Sequence, residues 1–328
     1  MARPKRGEIL SLTIDDLAFG GEGVGRADGY VVFVPGALPG DRLQVRLVQV
    51  RSRFGRGVIE AVLEPSPQRV DAPCPYFGRC GGCRLQHVAY EAQLVFKSKQ
   101  VADALERLGG LRDVPLRPII GADEIFGYRN KMEFTVARAR RPAGGASAVG
   151  PMVVGLHETE RYDSVLDIER CLLQSDRMNG LLTEARAFFV ERGLTVYEQD
   201  TGEGLLRFLM LREGRQTGEL MTNVVTSAPA VSELAPIVQR LQARDAGTTS
   251  VVMNVNPKKA SVAVGVEEHL LGGRDHIRES VGGLTFRVSA NSFFQTNTRQ
   301  AERLFDLVVE STGPVSYTHL TLPTILRV

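Results

Sequence analysis

The chain has 328 residues, 43% hydrophobic and 24% charged, with no Trp and a formal net charge of +2, long enough for two or three domains with their own cores. So even a balance does not by itself mark a nucleic-acid partner, and any such surface must come from local clusters. No run approaches the ~18–20 apolar residues of a membrane span, and no signal-peptide core follows the basic start; a cytoplasmic, monomeric protein without membrane attachment is expected.

In chain order, strand-like content falls at Ile9 to Leu17, Tyr30 to Val34, Leu43 to Val50 and Gly57 to Leu63. Leu43, Val45 and Leu47 alternate with Gln44 and Arg46, and Pro65 to Pro67 marks a linker. Short strands with Gly and Pro turns predict a five-stranded OB-type β-barrel over residues 1–66. The glycine-rich stretch Phe19 to Gly25 lacks the Lys-Ser/Thr ending of a phosphate loop and a helix after it. It reads as a hairpin whose glycines supply positive φ. Arg46, Arg51, Arg53 and Arg56 surround Phe54, which suits a surface that tracks a nucleic-acid backbone and stacks bases; a solvated charged face is the alternative.

A cysteine segment spans 71–87, and a helix is predicted near Gln93 to Leu108, with Leu94, Val101, Leu105 and Leu108 on one face and Gly109-Gly110 as its stop. Beyond 128, strands are predicted at 131–137, 152–156, 205–211, 219–225, 250–255, 261–265 and 284–289, with helices at 176–192 and 230–243. Arg140 to Ser147 reads as an exposed loop. Arg129, Lys131, Arg138, Arg140 and Arg141 make a second basic group. The mixture predicts an α+β domain. Thr298 to Ser311 is a predicted helix with Ala301, Leu304, Phe305 and Val308 on one side, and 314–328 reads as a non-native tail, a genuine C-terminus being the alternative.

The four cysteines are Cys74, Cys80, Cys83 and Cys171. In a chain without an export signal, metal or redox chemistry is preferred to disulfides. Cys-x5-Cys-x2-Cys plus a distant fourth thiol supplies what either a cubane iron–sulfur cluster or a structural zinc requires. Gly78, Gly81 and Gly82 let the backbone fold tightly around a metal, with Pro73 and Pro75 stiffening the first ligand's approach. His87 and His157 read as structural, with a role as ligands or RNA contacts the alternative. Radical-SAM enzymes, a rival class that can also carry an RNA-binding barrel, use an x3 gap in place of x5.

Residues 71–87, Asp-Ala-Pro-Cys-Pro-Tyr-Phe-Gly-Arg-Cys-Gly-Gly-Cys-Arg-Leu-Gln-His, resemble the cluster-binding segment of the RNA uracil-5 methyltransferases that modify 23S rRNA. Tyr128 to Thr135, Asp167 to Cys171 and Asn291 to Asn297 resemble further segments of that family, in the same order. The resemblance implies a multi-domain α+β protein: a TRAM barrel (1–66), an iron–sulfur ligand segment (67–92), a helix packing on the methyltransferase domain (93–120) and a central α+β domain (121–290). The start of a Rossmann-like, S-adenosylmethionine-dependent domain, most of it missing from this chain, would follow at 291–313. It further implies a [4Fe-4S] cluster on Cys74, Cys80, Cys83 and Cys171, Phe293 stacking on the target uracil, and Gln295 contacting S-adenosylmethionine. RNA, most directly 23S rRNA, would be the partner, met by Arg51, Arg53, Arg129 and Lys131. The family's reaction needs a nucleophilic cysteine besides the ligands and a glutamate base. With four cysteines in all, the chain is expected to stop before its catalytic core, to bind RNA and a cluster, and to be inactive; a non-enzymatic zinc or iron–sulfur RNA-binding protein is the other reading.

Overall fold

A computed structural model describes residues 4–139 and 150–312. The expected loop at Arg140 to Ser147, with Arg140 and Arg141, and the segment 314–328 lie outside the described residues. Two compact units divide the chain, Met1–Asp123 and Glu124–Val328.

The first unit opens with strands β1 (Ile9–Leu17), β2 (Glu22–Ala27), β3 (Tyr30–Pro35), β4 (Arg42–Val50) and β5 (Phe54–Glu64), closed into a barrel in the order β1-β2-β3-β5-β4. Alternation explains the closure: Leu43, Val45 and Leu47 of β4 point inward with Leu12, Ile14, Val32 and Val34, while Arg42, Gln44 and Arg46 face water. Full burial of each aliphatic side chain contributes roughly 1.5–3 kcal/mol against the entropy of ordering it. A bulge between Ile14 and Asp16 shifts the register of β1, so that Leu17 also turns in. Gly57 is required where β4 and β5 meet: a Cβ there would lie 2.1 Å from Val45 Cγ1. The β1–β2 connection is the expected hairpin, with Gly20 and Gly21 at φ 100° and 89°.

Helix α1 (Tyr90–Asp103) runs on into a π-helical turn, Ala104–Leu108. The expected helix at 93–108 therefore starts earlier. Ala92, Ala89 and Phe96 lie with Leu17, Leu38 and Val88 in one apolar cluster. Gln100 Nε2 donates to the carbonyls of Leu17 and Ala18, at 3.1 and 3.2 Å. The helix is thus docked on the barrel, while Val101 and Leu108 of its expected apolar face are exposed.

The second unit is built on a seven-stranded sheet of order β12-β11-β10-β9-β6-β7-β8. Its strands are β6 (Lys131–Arg138), β7 (Met152–Glu158), β8 (Arg161–Asp167), β9 (Leu206–Glu213), β10 (Leu220–Thr226), β11 (Thr248–Val255) and β12 (Glu267–Gly273). Helix α2 (Asp176–Glu191) is capped by Ser175, whose side chain accepts from the Met178 N–H. It packs on β7 and β9, and α4 (Ile237–Arg244) packs on β11. The expected helix at 230–243 is broken by Pro236 into α3 (Val231–Leu234) and α4, since proline lacks an N–H and disfavours helix before it. The expected strand at 261–265 is a loop. The hairpin β13 (His276–Val281) and β14 (Leu284–Ser289) packs through Ile277 and Val288 against Met221 and Val252, and α5 (Thr298–Thr312) follows.

The cysteine segment and α1 belong with the barrel in one unit, and 291–312 belongs with the central sheet in the other. Among the described residues, those after Asn291 form one loop and α5, without a sheet of their own.

Candidate functional site

The loop from Asn291 to Asn297 joins the hairpin to α5, and buried polar side chains hold it to the sheet. Asn130, 4% exposed, donates from Nδ2 to the Gln295 carbonyl at 2.7 Å and to Thr298 Oγ1 at 2.9 Å. Thr298 Oγ1 in turn donates to Glu279, at 3.0 Å. The same carboxylate accepts the backbone N–H groups of Arg215 and Gln216, at 2.7 and 3.0 Å. Arg212 donates to the carbonyls of Ala290, at 3.1 Å, and Ser292. A buried guanidinium whose acceptors are loop carbonyls fixes that loop, because leaving either side unpaired is costly.

Two neighbouring phenylalanines part company on this loop. Phe294 packs into the cluster of Met221, Val252, Ile277 and Val288, edge-on to Phe286 at 5.7 Å. Phe293 is 77% exposed, so the pinned loop displays one aromatic face to solvent. Gln295 is also exposed, its backbone held and its side chain available. A chain of amides braces the loop from below: Asn291 Nδ2 donates to Asn254 Oδ1 and Asn254 Nδ2 to Asn223 Oδ1, each at 3.1 Å.

Beside the loop, Lys131 on β6 stands directly across from Arg212 on β9. Burial pushes the Lys131 ammonium below its ordinary value, and the charge of Arg212 adds to this against the nearby Glu133 carboxylate. Burial likewise lowers Arg212, to about 10. Arg129 lies next to them, its backbone bridged to Gln174 and Asn297. Sequence reasoning named Arg129 and Lys131 and missed Asn130, Arg212 and Glu279. For Arg212 the available signal was an arginine directly after the apolar run Phe208 to Leu211.

In the first unit, Arg51 and Arg53 sit at the β4–β5 turn, exposed, with the Arg51 carbonyl held by Tyr30 Oη at 3.0 Å. Neither forms an ion pair among the described residues, whereas Arg46 is paired with Glu60 and Arg56 with Glu22. The expected basic group of four thus reduces to two open arginines beside Phe54, itself edge-on to Phe33. His87 is buried against Phe77, ring to ring at 5.0 Å, and burial pushes its pKa down. His157 meets Thr135 Oγ1 at 3.2 Å.

Burial pushes the Cys80 thiol up, with Cys83 and Cys74 close enough to add to it and the Gly82 N–H, 3.4 Å from its Sγ, opposing. Cys171 lies in the second unit, its backbone N–H and C=O both bonded to buried Asn179, at 2.8 and 3.1 Å. Among the described residues, no group of three or more His, Cys, Asp or Glu side chains is arranged to hold a metal ion. Cys74, Cys80 and Cys83 thus lie in one unit and Cys171 in the other. The donor set, four thiols with three of them in one short segment, has the chemistry that a cluster needs.

Among the described residues, no helix is long and apolar enough to cross a membrane. Residues 3–59 match the TRAM domain. The chain is 35% identical over 305 residues to an uncharacterised RNA methyltransferase of Halalkalibacterium halodurans, covering 93% of this chain and 64% of that one. It is 39% identical over 320 residues to an uncharacterised RNA methyltransferase of Chlorobaculum tepidum, covering 95% and 66%. The solved tRNA (uracil-54, C5)-methyltransferase of Pyrococcus abyssi, in complex with S-adenosyl-L-homocysteine, matches with a TM-score of 0.64 and 29% identity, over 92% of this chain and 64% of that one. The chain thus spans 64–66% of the length of these relatives. It carries a TRAM domain and, along nearly its whole length, is similar to RNA methyltransferases.

Proposed function

We propose that this chain serves S-adenosylmethionine-dependent methylation of uracil C5 in RNA, supplying the surfaces that bind the RNA and present the base. The observation that carries the reading is Phe293, exposed on a loop that Asn130 and Arg212 hold rigid. Aromatic stacking on a displayed ring is a sequence-tolerant way to hold a base taken out of its helix. Arg129 and Lys131 lie beside that loop and Arg51 and Arg53 on the TRAM barrel, cations suited to a polyphosphate backbone. Gln295, exposed two residues on, is the residue we assign to contact the cofactor, which supplies the methyl group.

Uracil C5 is a poor nucleophile until a thiolate adds at C6, after which a base removes the C5 proton and the thiolate departs. Stacking and positioning by the residues above serve that chemistry by holding the pyrimidine ring in one orientation. An iron–sulfur cluster belongs to the same reading, on the closely placed Cys74, Cys80 and Cys83, with Cys171 the fourth ligand named by the sequence. The family resemblance favours 23S rRNA, whereas the Pyrococcus relative is named for tRNA. Filter binding of this chain to 23S rRNA fragments and to tRNA transcripts tests both. We expect salt-dependent binding, tighter for the ribosomal fragments; no binding to either RNA would refute the proposal.

A further inference from the structure

Three cations meet beside the Phe293 loop with one carboxylate among them. Lys131 and Arg212 are cross-strand partners, so their side chains rise from the same face of the sheet. Arg129 is close enough for its charge to act on Lys131. Glu133, two residues along β6 and on the same face, lies 3.6 Å from the Lys131 ammonium. The cluster therefore carries an excess of about two positive charges in a partly dry setting, which like-charge repulsion makes costly.

The hydrogen bonding is incomplete in the same sense. Arg212 is 3% exposed. Its Nη2 serves the Ala290 and Ser292 carbonyls, and its Nε is buried with no acceptor, as is the Nε of Arg129. Among the described residues, the side-chain acceptor of Arg129 is the weak Met132 Sδ, at 3.9 Å. The Lys131 side chain keeps 29% of its surface open to solvent. A ligand can therefore reach the ammonium, while Arg212 adds its charge from behind and keeps the loop in place. Donors in excess of acceptors, with net positive charge and one accessible ammonium, describe a site for an anion with several oxygens.

We propose that Arg129, Lys131 and Arg212 form a phosphate site, which takes a phosphodiester of the strand next to the base on Phe293, and that Glu133 is the resident counter-ion this phosphate displaces. The proposal rests on the reading of the chain as RNA-binding and deepens it. The ligand is a nucleotide backbone in preference to a carboxylate because the loop gripped by Arg212 also displays the aromatic ring. Base and phosphate of one nucleotide are bonded through a sugar, so a ring and an anion site on one small element match that pairing.

Two measurements on the full chain test it. The first is binding of a fluorescent single-stranded uridine-rich RNA between about 50 and 300 mM salt, for wild type, Lys131→Gln, Lys131→Arg and Glu133→Gln. Loss of one phosphate contact should weaken Lys131→Gln about five- to tenfold and reduce the slope of log Kd against log salt by about 1, with Lys131→Arg restoring both. Glu133→Gln should tighten binding about two- to fivefold, since a competitor for the ammonium is gone. The second is thermal unfolding with inorganic phosphate against chloride at equal ionic strength: phosphate should raise Tm in wild type and Glu133→Gln but not in Lys131→Gln. If wild type binds RNA while Glu133→Gln leaves affinity and Lys131→Gln leaves the slope unchanged, the phosphate site is overturned and the RNA-binding role stands. If wild type binds no RNA yet phosphate still raises Tm in a Lys131-dependent way, the functional reading falls and the anion site stands.

Discussion

Adjacent residues of one type can have opposite work, and Phe293 and Phe294 show how environment assigns it. Phe294 has its ring in an apolar cluster with Phe286 against it; Phe293 has 77% of its surface in water. The sequence motif could name both and could not divide them, because which one turns inward depends on Arg212 and Asn130 fixing the loop from elsewhere in the chain. Truncation therefore has separable effects. Phe294→Ala should lower stability by about 2–3 kcal/mol, below the ~3–5 kcal/mol of a fully buried phenylalanine, visible as a fall in the denaturation midpoint. Phe293→Ala should leave that midpoint within ~0.5 kcal/mol and weaken RNA binding by about tenfold through lost stacking. A Phe293 variant that unfolds easily and binds RNA normally would contradict the assignment.

At the scale of elements, the barrel is tied to its linker by one buried acid. Asp41 is fully buried and accepts from the backbone N–H groups of Leu38 and Ser66, at 2.7 and 2.8 Å, and from Arg69. Burial alone would raise its pKa, but the hydrogen bonds from Arg69, Ser66 and Leu38 outweigh it and hold the carboxyl below its ordinary value. A pKa lower folded than unfolded means that the acid contributes stability above its unfolded value, near ~3.9, and loses it as pH falls through the folded value. Hydrogen exchange of barrel amides should accordingly show wild-type protection falling below about pH 4. Asp41→Asn should cost about 2–4 kcal/mol at neutral pH by leaving the Arg69 guanidinium without its carboxylate and should flatten that acid limb. An unchanged acid limb would assign the pH dependence to other carboxylates.

The same scale shows where the sequence was legible. Alternation located β4, and apolar strand-like runs located β1, β3, β5 and the central strands β6, β7, β9, β10 and β11, since both patterns are local properties of the chain. The predicted strand at 261–265 failed because its valines alternate without a partner strand. Arg207 instead draws in the carbonyls of Asn256, Lys258 and Ala260, bending the chain so that Ala263 alone reaches the cluster of Phe208 and Met210. The strands β8 and β13 were missed since Arg161 to Asp167 and His276 to Val281 are mostly polar, and their pairing is set by the neighbouring strand. Arg212 and Glu279 were illegible for a related reason: a buried charge announces itself only once its partners, here 78 and 19 positions away, are in place.

For the whole molecule, the decisive constraint is the cysteine inventory. Attack on uracil C6 requires one thiolate and a cubane cluster requires four, while the sequence holds Cys74, Cys80, Cys83 and Cys171 and no other. Both demands cannot be met by these four residues. If they serve the cluster, protein purified without oxygen should show a broad absorbance band near ~400 nm that Cys74→Ser and Cys171→Ser each abolish. The chain alone should then bind RNA and transfer no labelled methyl group from S-adenosylmethionine to it. The contrary result is equally informative. Methyl transfer by this chain, lost in a single Cys→Ser variant and accompanied by a covalent protein–RNA adduct, would make that cysteine the nucleophile and remove it from the ligand set. Bound zinc with no such band would leave a structural metal and exclude the iron–sulfur assignment. Because Cys80 is buried close to Cys74 and Cys83, a thiolate there is disfavoured without a metal.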